Sequence, residues 1–599
     1  MHFQFIVLFV IILLGSLVEA FLPHSNLIIT LQTLQSHPRF SSLEDQEFLT
    51  TTKDEELLNR EEQDLLNLEP RNTWQTIALS EPEEETFPFN LKDCDILGGE
   101  KIGNLEKLEG KYFINGLASC AVGERVVHPF EAHGFIKSIE FHGNGTATFQ
   151  SKYVNTFLTS LERNLKRPVS RGVMSRIFDG PFKFLNILSP QERNTANLAC
   201  RAWPPSSVSS EQQRLLVGGD NSAPYCLDIQ NLNTKGLLSN EDSFVEIKGK
   251  KMLAHTRYDS IRQRLIMAAC NFAFDTPGDD GNALLYFWEY DANGRLVSQR
   301  EYKTDFMVMH DWILTDNYYV IPKNPATFEW GNLPKFLSGY ARGVDVFSLA
   351  YLTNGAFLLI PRHDINAPVI EATADSFFNI FHLGSTYERE KKDGTGKEVV
   401  VNAVVFDSYN FGKEMGFDAD LQEFDPTGWS TSEDAFPPRL DRFVIDCNGG
   451  EIISRTRVPL QNIETGEDIP VDMPTHHPLR DGQESRYLYF AGGRQNGWFP
   501  FRKLVKFDSE TQLTDSWDAG DGRIVSEPMF IPSGQGGVEW LGQSKEDEGF
   551  VFSVVHNAED RTNELAVLDA QNFGAGPIAL LKLGGLSPWS VHGHWNPSS

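Results

Sequence analysis

Four histidines, among the fifteen in the chain, stand in distinctive local sequences. A single histidine is usually an ordinary core or surface residue, but four neutral imidazoles around one divalent ion would make a credible metal site. Iron, zinc, copper and nickel all accept such ligands, so the residue types alone do not identify the metal. The histidines are His255 in AHTRYD (254–259), His310 in MHDWILTDNY (309–318), His382 in FHLGSTYE (381–388) and His592 in SVHGHW (590–595).

The spacing of these histidines limits the structures that could bring them together. Successive members lie 55, 72 and 210 residues apart, which is too far for one helix or one hairpin to supply all four. Several repeated units that each point one side chain at a common axis would satisfy this spacing, and the central channel of a β-propeller offers such an axis. His128, His133, His476 and His477 lack a comparable context, and we assign them no function.

The elements that must position the histidines are predicted to be short β-strands. From about residue 87 the chain alternates apolar runs with turn residues, and convincing amphipathic helices are few. His142-Gly-Asn-Gly145 between two alternating runs predicts a hairpin. This pattern predicts an all-β architecture, although no blade-length repeat is visible. Further strand predictions cover residues 284–290, 318–321, 487–490 and 550–555.

The histidine motifs resemble those of the carotenoid oxygenase family, also called carotenoid cleavage dioxygenases. All four occur in the order found in that family, and NTAN (194–197), RYLY (486–489) and SEP (526–528) add to the match. The resemblance covers residues 87–599 and implies a seven-bladed β-propeller with a helical and loop cap over an iron site. It also implies that His255, His310, His382 and His592 are the ligands of Fe(II).

The resemblance further implies carboxylates that hold the outer ring nitrogens of the ligands. Glu527 matches one such family position, whereas the other two carry Asp220 and Asp472 where the family has Glu. A carboxylate shorter by one methylene is expected to reach its imidazole through water or through a shifted backbone. Thr256 and the pair Ser385-Thr386 also depart from the family motifs, but no metal ligand is missing.

The activity implied by the resemblance is the cleavage of a carbon–carbon double bond in a carotenoid or apocarotenoid by O2, giving two carbonyl products. Alternatives are cleavage of a stilbene-like substrate, isomerisation with hydrolysis of a retinyl ester, and a non-catalytic role in binding carotenoid or metal. An apolar substrate predicts peripheral association with a membrane. The sequence leaves open the oligomeric state, the particular carotenoid and the bond that is cleaved.

Bulk composition excludes some other classes of protein. The net charge of −29 argues against a nucleic acid partner. Six cysteines without a Cys-x-x-Cys pair indicate neither a disulfide framework nor a zinc site.

The first 86 residues differ from the rest of the chain. Residues 1–20 predict a signal peptide because an apolar run ends at Ala20, and residues 21–42 contain no Asp or Glu, as is typical of a transit segment. This pair of segments resembles the plastid presequence of algae with complex plastids, with a secreted or endomembrane destination as the alternative. Residues 43–86 are rich in acidic side chains and predict a solvated N-terminal arm.

Overall fold

The computed structural model describes residues 69–598, apart from 99–101, 190–192, 206–211, 277, 408–415, 419–422, 425–436, 463–464, 494–498 and 534–544. The predicted signal peptide and transit segment lie outside these residues, as does most of the acidic arm. The described residues all belong to one compact unit. Within its described part, seven sheets of four to six antiparallel strands follow one another along the chain, which confirms the predicted seven-bladed propeller.

The first blade joins strands from both ends of the propeller. Ser590–Pro597 pairs with Glu109–Ala118, so the strand that carries His592 closes the ring of blades. From the inner to the outer edge, the blade consists of Ser590–Pro597, Glu109–Ala118, His133–His142, Thr146–Tyr153 and Thr86–Asn90.

The next three blades are each formed by consecutive strands. The inner strand of the fourth blade is broken into two short pieces that both pair with Tyr318–Phe328. The second blade contains Ala199–Trp203, Arg214–Gly218, Tyr225–Asp228 and Thr234–Leu237; the third contains Arg257–Asp259, Arg264–Ala273, Asn282–Tyr290 and Leu296–Asp305; the fourth contains Met307–Val308, Ile313–Leu314, Tyr318–Phe328, Phe347–Leu349, Ala356–Pro361 and Ile370–Thr373.

The last three blades complete the ring. Central strands are buried on both faces between neighbouring blades, so Lys397–Phe406 is buried from its second residue onward and is mainly apolar, without the alternation of a half-exposed strand. The fifth blade contains Asn379–Glu390, Lys397–Phe406, Arg439–Asp446 and Ile452–Arg457; the sixth contains Val471–Thr475, Tyr487–Gly492, Lys503–Asp508 and Leu513–Asp518; the seventh contains Arg523–Val525, Met529–Pro532, Gly549–Asn557, Thr562–Asp569, Pro577–Gly585 and Asp95–Ile96.

Helices are short and lie between the strands. Within the described residues, none has the length and apolar character that a membrane span requires. The α-helices are 69–78, Ile102–Leu105, Phe157–Leu165 and Leu333–Leu337. The 3-10 segments are Leu91–Asp93, Pro129–Glu131, Gly180–Leu188, Leu238–Asn240, Asp242–Ile247, Trp330–Asn332, Val344–Val346, Pro478–Arg480 and Ala570–Ala575, and two short hairpins pair Ala121–Val122 with Arg125–Val126 and Phe417–Asp418 with Glu423–Phe424.

The helix 69–78 corrects the prediction of a solvated arm over residues 43–86. Trp74, Ile77 and Ala78 are buried in the largest apolar cluster, so this part of the predicted arm belongs to the core. The three residues have the i, i+3, i+4 spacing of one helical face. Acidic residues precede and follow the helix in the sequence and dominate the composition of this region. Composition alone therefore did not reveal the short apolar stripe.

The predicted hairpin at residues 142–145 is confirmed. It joins His133–His142 to Thr146–Tyr153, and Gly143 and Gly145 have φ values of 69° and 79°. Glycine adopts such left-handed conformations without the steric cost that a Cβ would bring. The other four strand predictions also fall within observed strands.

Candidate metal centre

Each of the four predicted histidines lies at an irregularity of an inner strand. On the fifth blade, Ile380 pairs with Val405 and Leu383 with Ala403, so the segment carrying His382 holds one residue more than its partner strand. A β-bulge of this kind redirects side chains locally.

Comparable irregularities occur at the other three histidines. His310 lies in the break between the two inner pieces of the fourth blade. His592 lies where the pairing with Glu109–Ala118 shifts register, and His255 lies between the isolated bridge at Met252 and the first residue of the third blade. Four blades therefore each direct one imidazole to the axis.

The structure brings these histidines into one cluster. One ring nitrogen from each lies within 4.8 Å of those of the other three. The Nε2 atoms of His255 and His310 are 3.2 Å apart, and the rings of His255 and His592 meet edge to face with centroids 4.4 Å apart. Such a distribution of nitrogens suits a single ion, because metal–nitrogen bonds of about 2 Å place neighbouring ligand atoms about 3 to 4 Å apart.

Three of the histidines contact the three predicted carboxylates directly through Nδ1. His310 lies 2.6 Å from Asp220 Oδ2, His382 lies 2.7 Å from Asp472 Oδ1, and His592 lies 2.9 Å from Glu527 Oε1. The carboxylates belong to the second, sixth and seventh blades, so every blade contributes one group to the site. The contacts are direct, so the expected bridging water is not needed.

Backbone groups fix the positions of these carboxylates. Asp220 accepts the N–H of Ala254, Asp472 accepts that of Met473, and Glu527 accepts that of Gly593. A carboxylate that accepts a backbone donor and an imidazole N–H is held in one orientation. It therefore orients the histidine as well.

The tautomers of the three histidines that contact carboxylates explain why a cation fits this site. A carboxylate at Nδ1 keeps the proton on that nitrogen, so the unprotonated Nε2 of each of the three histidines is free for another partner. Nε2 of His382 is buried, and within the described part of the chain it has no hydrogen-bond partner. A buried acceptor without a donor is costly, and a metal ion would satisfy it. The donor set therefore fits a divalent ion.

Burial and charge act on the imidazoles in different ways. Burial, together with the neighbouring His592 and His310, holds the pKa of His255 well below its usual range. Burial also lowers the pKa of His592, although Glu527 opposes the change. Burial disfavours the charged form of His382 too, but the carboxylates of Asp472, Asp311 and Glu527 together outweigh it, so the pKa of His382 is raised.

His255 differs from the other three because its Nδ1 has no close carboxylate. The nearest carboxylate oxygen, Oδ1 of Asp311, lies 3.8 Å away. Asp311 instead accepts the backbone N–H groups of Trp312 and Leu383, at 2.8 and 3.0 Å, and pairs with Arg257. Asp311 thereby ties the fourth blade to the fifth beside the site, a role that sequence reasoning missed.

Two phenylalanines that sequence reasoning also missed form an apolar wall beside the histidines. The ring of Phe381 stacks on His310 with centroids 4.2 Å apart and an interplanar angle of 12°. Phe130 stacks on Phe381 at 6.4 Å. Both rings are only partly buried. The position of Phe381 directly before a predicted ligand is the one signal that could have pointed to it.

A cavity of about 810 Å³ also reaches the histidines. His255, His382 and His592 line it, together with residues that follow them on the inner strands. Phe130 and Phe381 are not among its lining residues. The apolar wall contacts the cluster at His310, whereas this cavity contacts it at His255, His382 and His592.

Seven blades with four imidazoles on their axis define a propeller protein with a central four-histidine cluster that suits a metal ion. The family model described as "Retinal pigment epithelial membrane protein" matches residues 104–597, and the chain belongs to this family, which includes the carotenoid oxygenases.

Curated relatives are similar over most of their length. The chain is 26% identical to "Carotenoid cleavage dioxygenase 7, chloroplastic" of Arabidopsis thaliana, over 78% of this chain and 82% of the relative. It is 26% identical to "Apocarotenoid-15,15'-oxygenase" of Synechocystis, over 82% and 90%. It is 24% identical to "Lignostilbene-alpha,beta-dioxygenase isozyme III" of Sphingomonas paucimobilis, over 78% and 87%.

Solved structures share the fold. The cobalt-substituted Synechocystis apocarotenoid oxygenase superposes with a TM-score of 0.72 at 22% identity, covering 88% of this chain and 99% of that one. This similarity establishes the same propeller architecture.

Proposed function

We propose that the protein is an Fe(II)-dependent dioxygenase that cleaves a carbon–carbon double bond of a carotenoid or apocarotenoid. The observation that carries this proposal is the cluster of four histidine nitrogens within 4.8 Å of one another, beside the stacked rings of Phe130 and Phe381. The names of the carotenoid-cleaving relatives support it.

In this proposal His255, His310, His382 and His592 would hold the ion through nitrogen atoms. Asp220, Asp472 and Glu527 would fix the tautomer and orientation of three of the rings. Bound Fe(II) supplies the activation of O2. The buried donor set leaves little freedom for the imidazoles to turn away, so the protein keeps the site in one geometry.

The apolar wall would orient the polyene. Phe381 and Phe130 present flat faces next to His310, and the flat face of an aromatic ring suits a conjugated chain. In the reaction, both atoms of one O2 add across one double bond, which breaks to give two carbonyl groups. No other oxidant or reductant is required.

A stilbene-like substrate is the second candidate. The lignostilbene-cleaving relative favours it, because that protein shares the family at an identity close to that of the carotenoid-cleaving relatives. Both candidates have a conjugated double bond next to an aromatic or polyene system, so the same wall could serve either.

The decisive experiment is aerobic incubation of iron-loaded protein with a carotenoid, an apocarotenoid and a hydroxystilbene, followed by mass analysis of the products. We expect two carbonyl fragments from a carotenoid or apocarotenoid and none with His382→Ala. His142→Ala is the matched control, because His142 lies on an exposed hairpin and contacts Thr148. Bound iron without any cleavage product would instead support a non-catalytic binding protein.

We also propose that the protein docks on a membrane surface to reach its apolar substrate. Phe182, Phe184, Ile187 and Leu188 are exposed on the segment Gly180–Leu188, and Leu337 and Tyr340 are exposed beside it. Asn186 joins these two stretches by donating to the carbonyl of Gly339. Contiguous exposed apolar side chains are typical of interaction surfaces.

The position of this patch favours the lipid surface as its partner. The preceding chain packs against the loop that carries Phe130, because Met174 N–H donates to Glu131 and Ser175 accepts the N–H of His128. The patch therefore lies on the same part of the propeller as the apolar wall.

Flotation with neutral phospholipid vesicles tests this docking. Phe182→Ser combined with Phe184→Ser should reduce the bound fraction several-fold, because burial of each ring contributes about 1.5 to 3 kcal/mol. Ile453→Ser combined with Leu513→Ser, on exposed outer strands, is the control. Equal flotation of both double variants would show that these exposed side chains do not mediate membrane binding.

The leader sequence is the basis for a proposal about the cellular location of the protein. We propose import into a plastid through residues 1–42, and chloroplastic names among the relatives are consistent with this. Residues 1–45 fused to a fluorescent reporter should direct it to the plastid. Appearance of the reporter in the culture medium would show secretion instead.

A further inference from the structure

The cavity that reaches His255, His382 and His592 is lined by charged and polar side chains as well as by apolar ones. Its volume of about 810 Å³ lies in the range of sites for organic ligands. Arg201, Tyr258, His594 and Asp481 all line it. A purely hydrocarbon ligand would bury these groups without satisfying them, and that is unfavourable.

Arg201 has unused hydrogen-bonding capacity in this cavity. Its Nε donates to Thr256 Oγ1 at 3.2 Å, and one terminal nitrogen donates to the Thr256 carbonyl at 3.1 Å. Among the described residues, no carboxylate lies within ion-pair distance of its guanidinium, and the other terminal nitrogen has no protein acceptor. The two terminal nitrogens therefore still offer the fork that matches a carboxylate.

Two neutral donors share the cavity with Arg201. Neither the Tyr258 hydroxyl nor the His594 imidazole makes a hydrogen bond within the described residues, and both side chains line the cavity. Burial raises the pKa of Tyr258 to about 12, against the opposing charge of Arg201, so the hydroxyl keeps its proton. His594 lies on the closing strand, beside the inner strand of the second blade that carries Arg201.

Three carboxylates line this cavity, and each already has a neighbour of its own: Asp311 pairs with Arg257, Glu527 contacts His592, and Asp481 lies beside His476. His476 Nε2 lies 3.2 Å from Asp481 Oδ1. Burial alone would raise the pKa of Asp481, but His476 and Arg257 hold it at about 2, so the group is ionised. Arg201 is one of the charges that help to lower the pKa of Asp481, but among the described residues the two side chains form no ion pair, so the fork of Arg201 remains open to a ligand.

We propose that this cavity binds a carboxylate carried by a polyene, with Arg201 holding the carboxylate and Tyr258 and His594 as additional donors. The substrate class of the four-histidine site is then a carotenoid-derived acid, whose charged end occupies the cavity. This assignment of substrate rests on the proposed function, whereas binding of the carboxylate does not.

The test measures binding to the full-length, metal-free protein by quenching of tryptophan fluorescence. Retinoic acid, retinal and retinol serve as probes because they share one polyene and differ at its end. We expect the acid to bind at least tenfold more tightly than the alcohol. Arg201→Gln should weaken binding of the acid about tenfold to a hundredfold, since a charge-assisted contact is lost, and leave the alcohol unchanged.

Two controls accompany this titration. Arg457→Gln should have no effect, because Arg457 is an exposed residue on an outer strand that pairs with Asp468. Arg201→Lys keeps the charge but loses the fork, so it should restore only part of the affinity. If thermal melting shows that the Arg201 variants do not fold, the double variant Tyr258→Phe with His594→Ala replaces them. It should also weaken binding of the acid.

The outcomes separate the possible explanations. Equal affinity of the acid and the alcohol for the unaltered protein, or no response to Arg201→Gln, would overturn the proposal. Displacement of retinoic acid by acetate at similar concentration would assign the site to a small carboxylate and overturn the substrate class. Acid binding that depends on Arg201 in a protein that cleaves no polyene would contradict the proposed function and leave the carboxylate site standing.

Discussion

At the scale of single residues, the two aspartates show how a shorter side chain can fill the role of a longer one. Asp220 and Asp472 reach their imidazoles directly, at 2.6 and 2.7 Å. The residue after each has a positive φ, 71° at Asn221 and 54° at Met473. This local backbone geometry accompanies the close approach of the carboxylates.

We therefore expect different effects on metal affinity when each of the two aspartates is lengthened to glutamate. The Asp472 side chain is only 3% exposed, so Asp472→Glu should overpack the site at a cost of about 1 to 3 kcal/mol and lower metal affinity. The Asp220 side chain is 27% exposed, so Asp220→Glu should change affinity little. Competition with a chelator measures both values.

Removing a carboxylate should lower metal affinity more than lengthening its side chain does. Asp220→Ala, Asp472→Ala and Glu527→Ala should each lower metal affinity or activity about 10- to 100-fold, because an imidazole loses its orienting partner. Asp468→Ala, whose side chain is partly exposed and pairs with Arg457, is the control. Unchanged metal content in all three site variants would show that these contacts do not support the metal.

Most of the candidate site was accessible from sequence because it lies in short motifs. The four histidines and the three carboxylates all meet in the structure. Phe130, Asp311 and Arg201 were missed because they lie on a 3-10 segment, in a break between two strand pieces and on a strand of another blade, and only the tertiary packing brings them to the site. No linear pattern encodes that information.

At the scale of elements, the bulges of the inner strands determine where the imidazoles point. Side chains alternate between the two faces of a regular strand, so one extra residue reverses which face the following residues occupy. The extra residue opposite Val405 and Ala403 is what places His382 in the cluster.

Deletion of Phe381 tests this role of the bulge. The deletion would restore a regular ladder between Ile380 and Leu383 and turn His382 away from the axis, so metal binding should be lost while circular dichroism still shows a β-fold. Phe381→Ala keeps the bulge and removes only the ring, and it should retain the metal. Normal metal content in the deletion variant would contradict the role assigned to the bulge.

Sequence reasoning predicted the strands but not their irregularities. The hairpin at residues 142–145 was predictable because two glycines with positive φ mark it. The bulges lack such a marker, since neither Phe381 nor Leu383 has a special backbone preference and the register is fixed only by pairing with the neighbouring strand.

At the scale of the whole molecule, Ser590–Pro597 both closes the propeller and carries His592. It pairs with Glu109–Ala118, and its buried Trp595 packs against Phe141 of the first blade and Phe552 of the seventh. Closure of the ring and completion of the metal centre therefore depend on one strand.

This coupling predicts different effects for two changes at the same strand. Trp595→Ala should destabilise the protein by about 3 to 5 kcal/mol, because a large buried side chain is removed. His592→Ala should abolish metal binding with a much smaller effect on the melting temperature of the metal-free protein. Similar melting temperatures for the two metal-free variants would show that closure does not depend on this packing.

The order of synthesis gives this closing strand a further consequence. A ribosome makes the chain from its N-terminus, so the other three imidazoles emerge from the exit tunnel long before His592. A polypeptide released early, or clipped by a protease ahead of this strand, would carry an incomplete ligand set. Such a chain would lack both the fourth imidazole and the partner strand of Glu109–Ala118, so a single cleavage would impair the histidine cluster and the closure of the ring together.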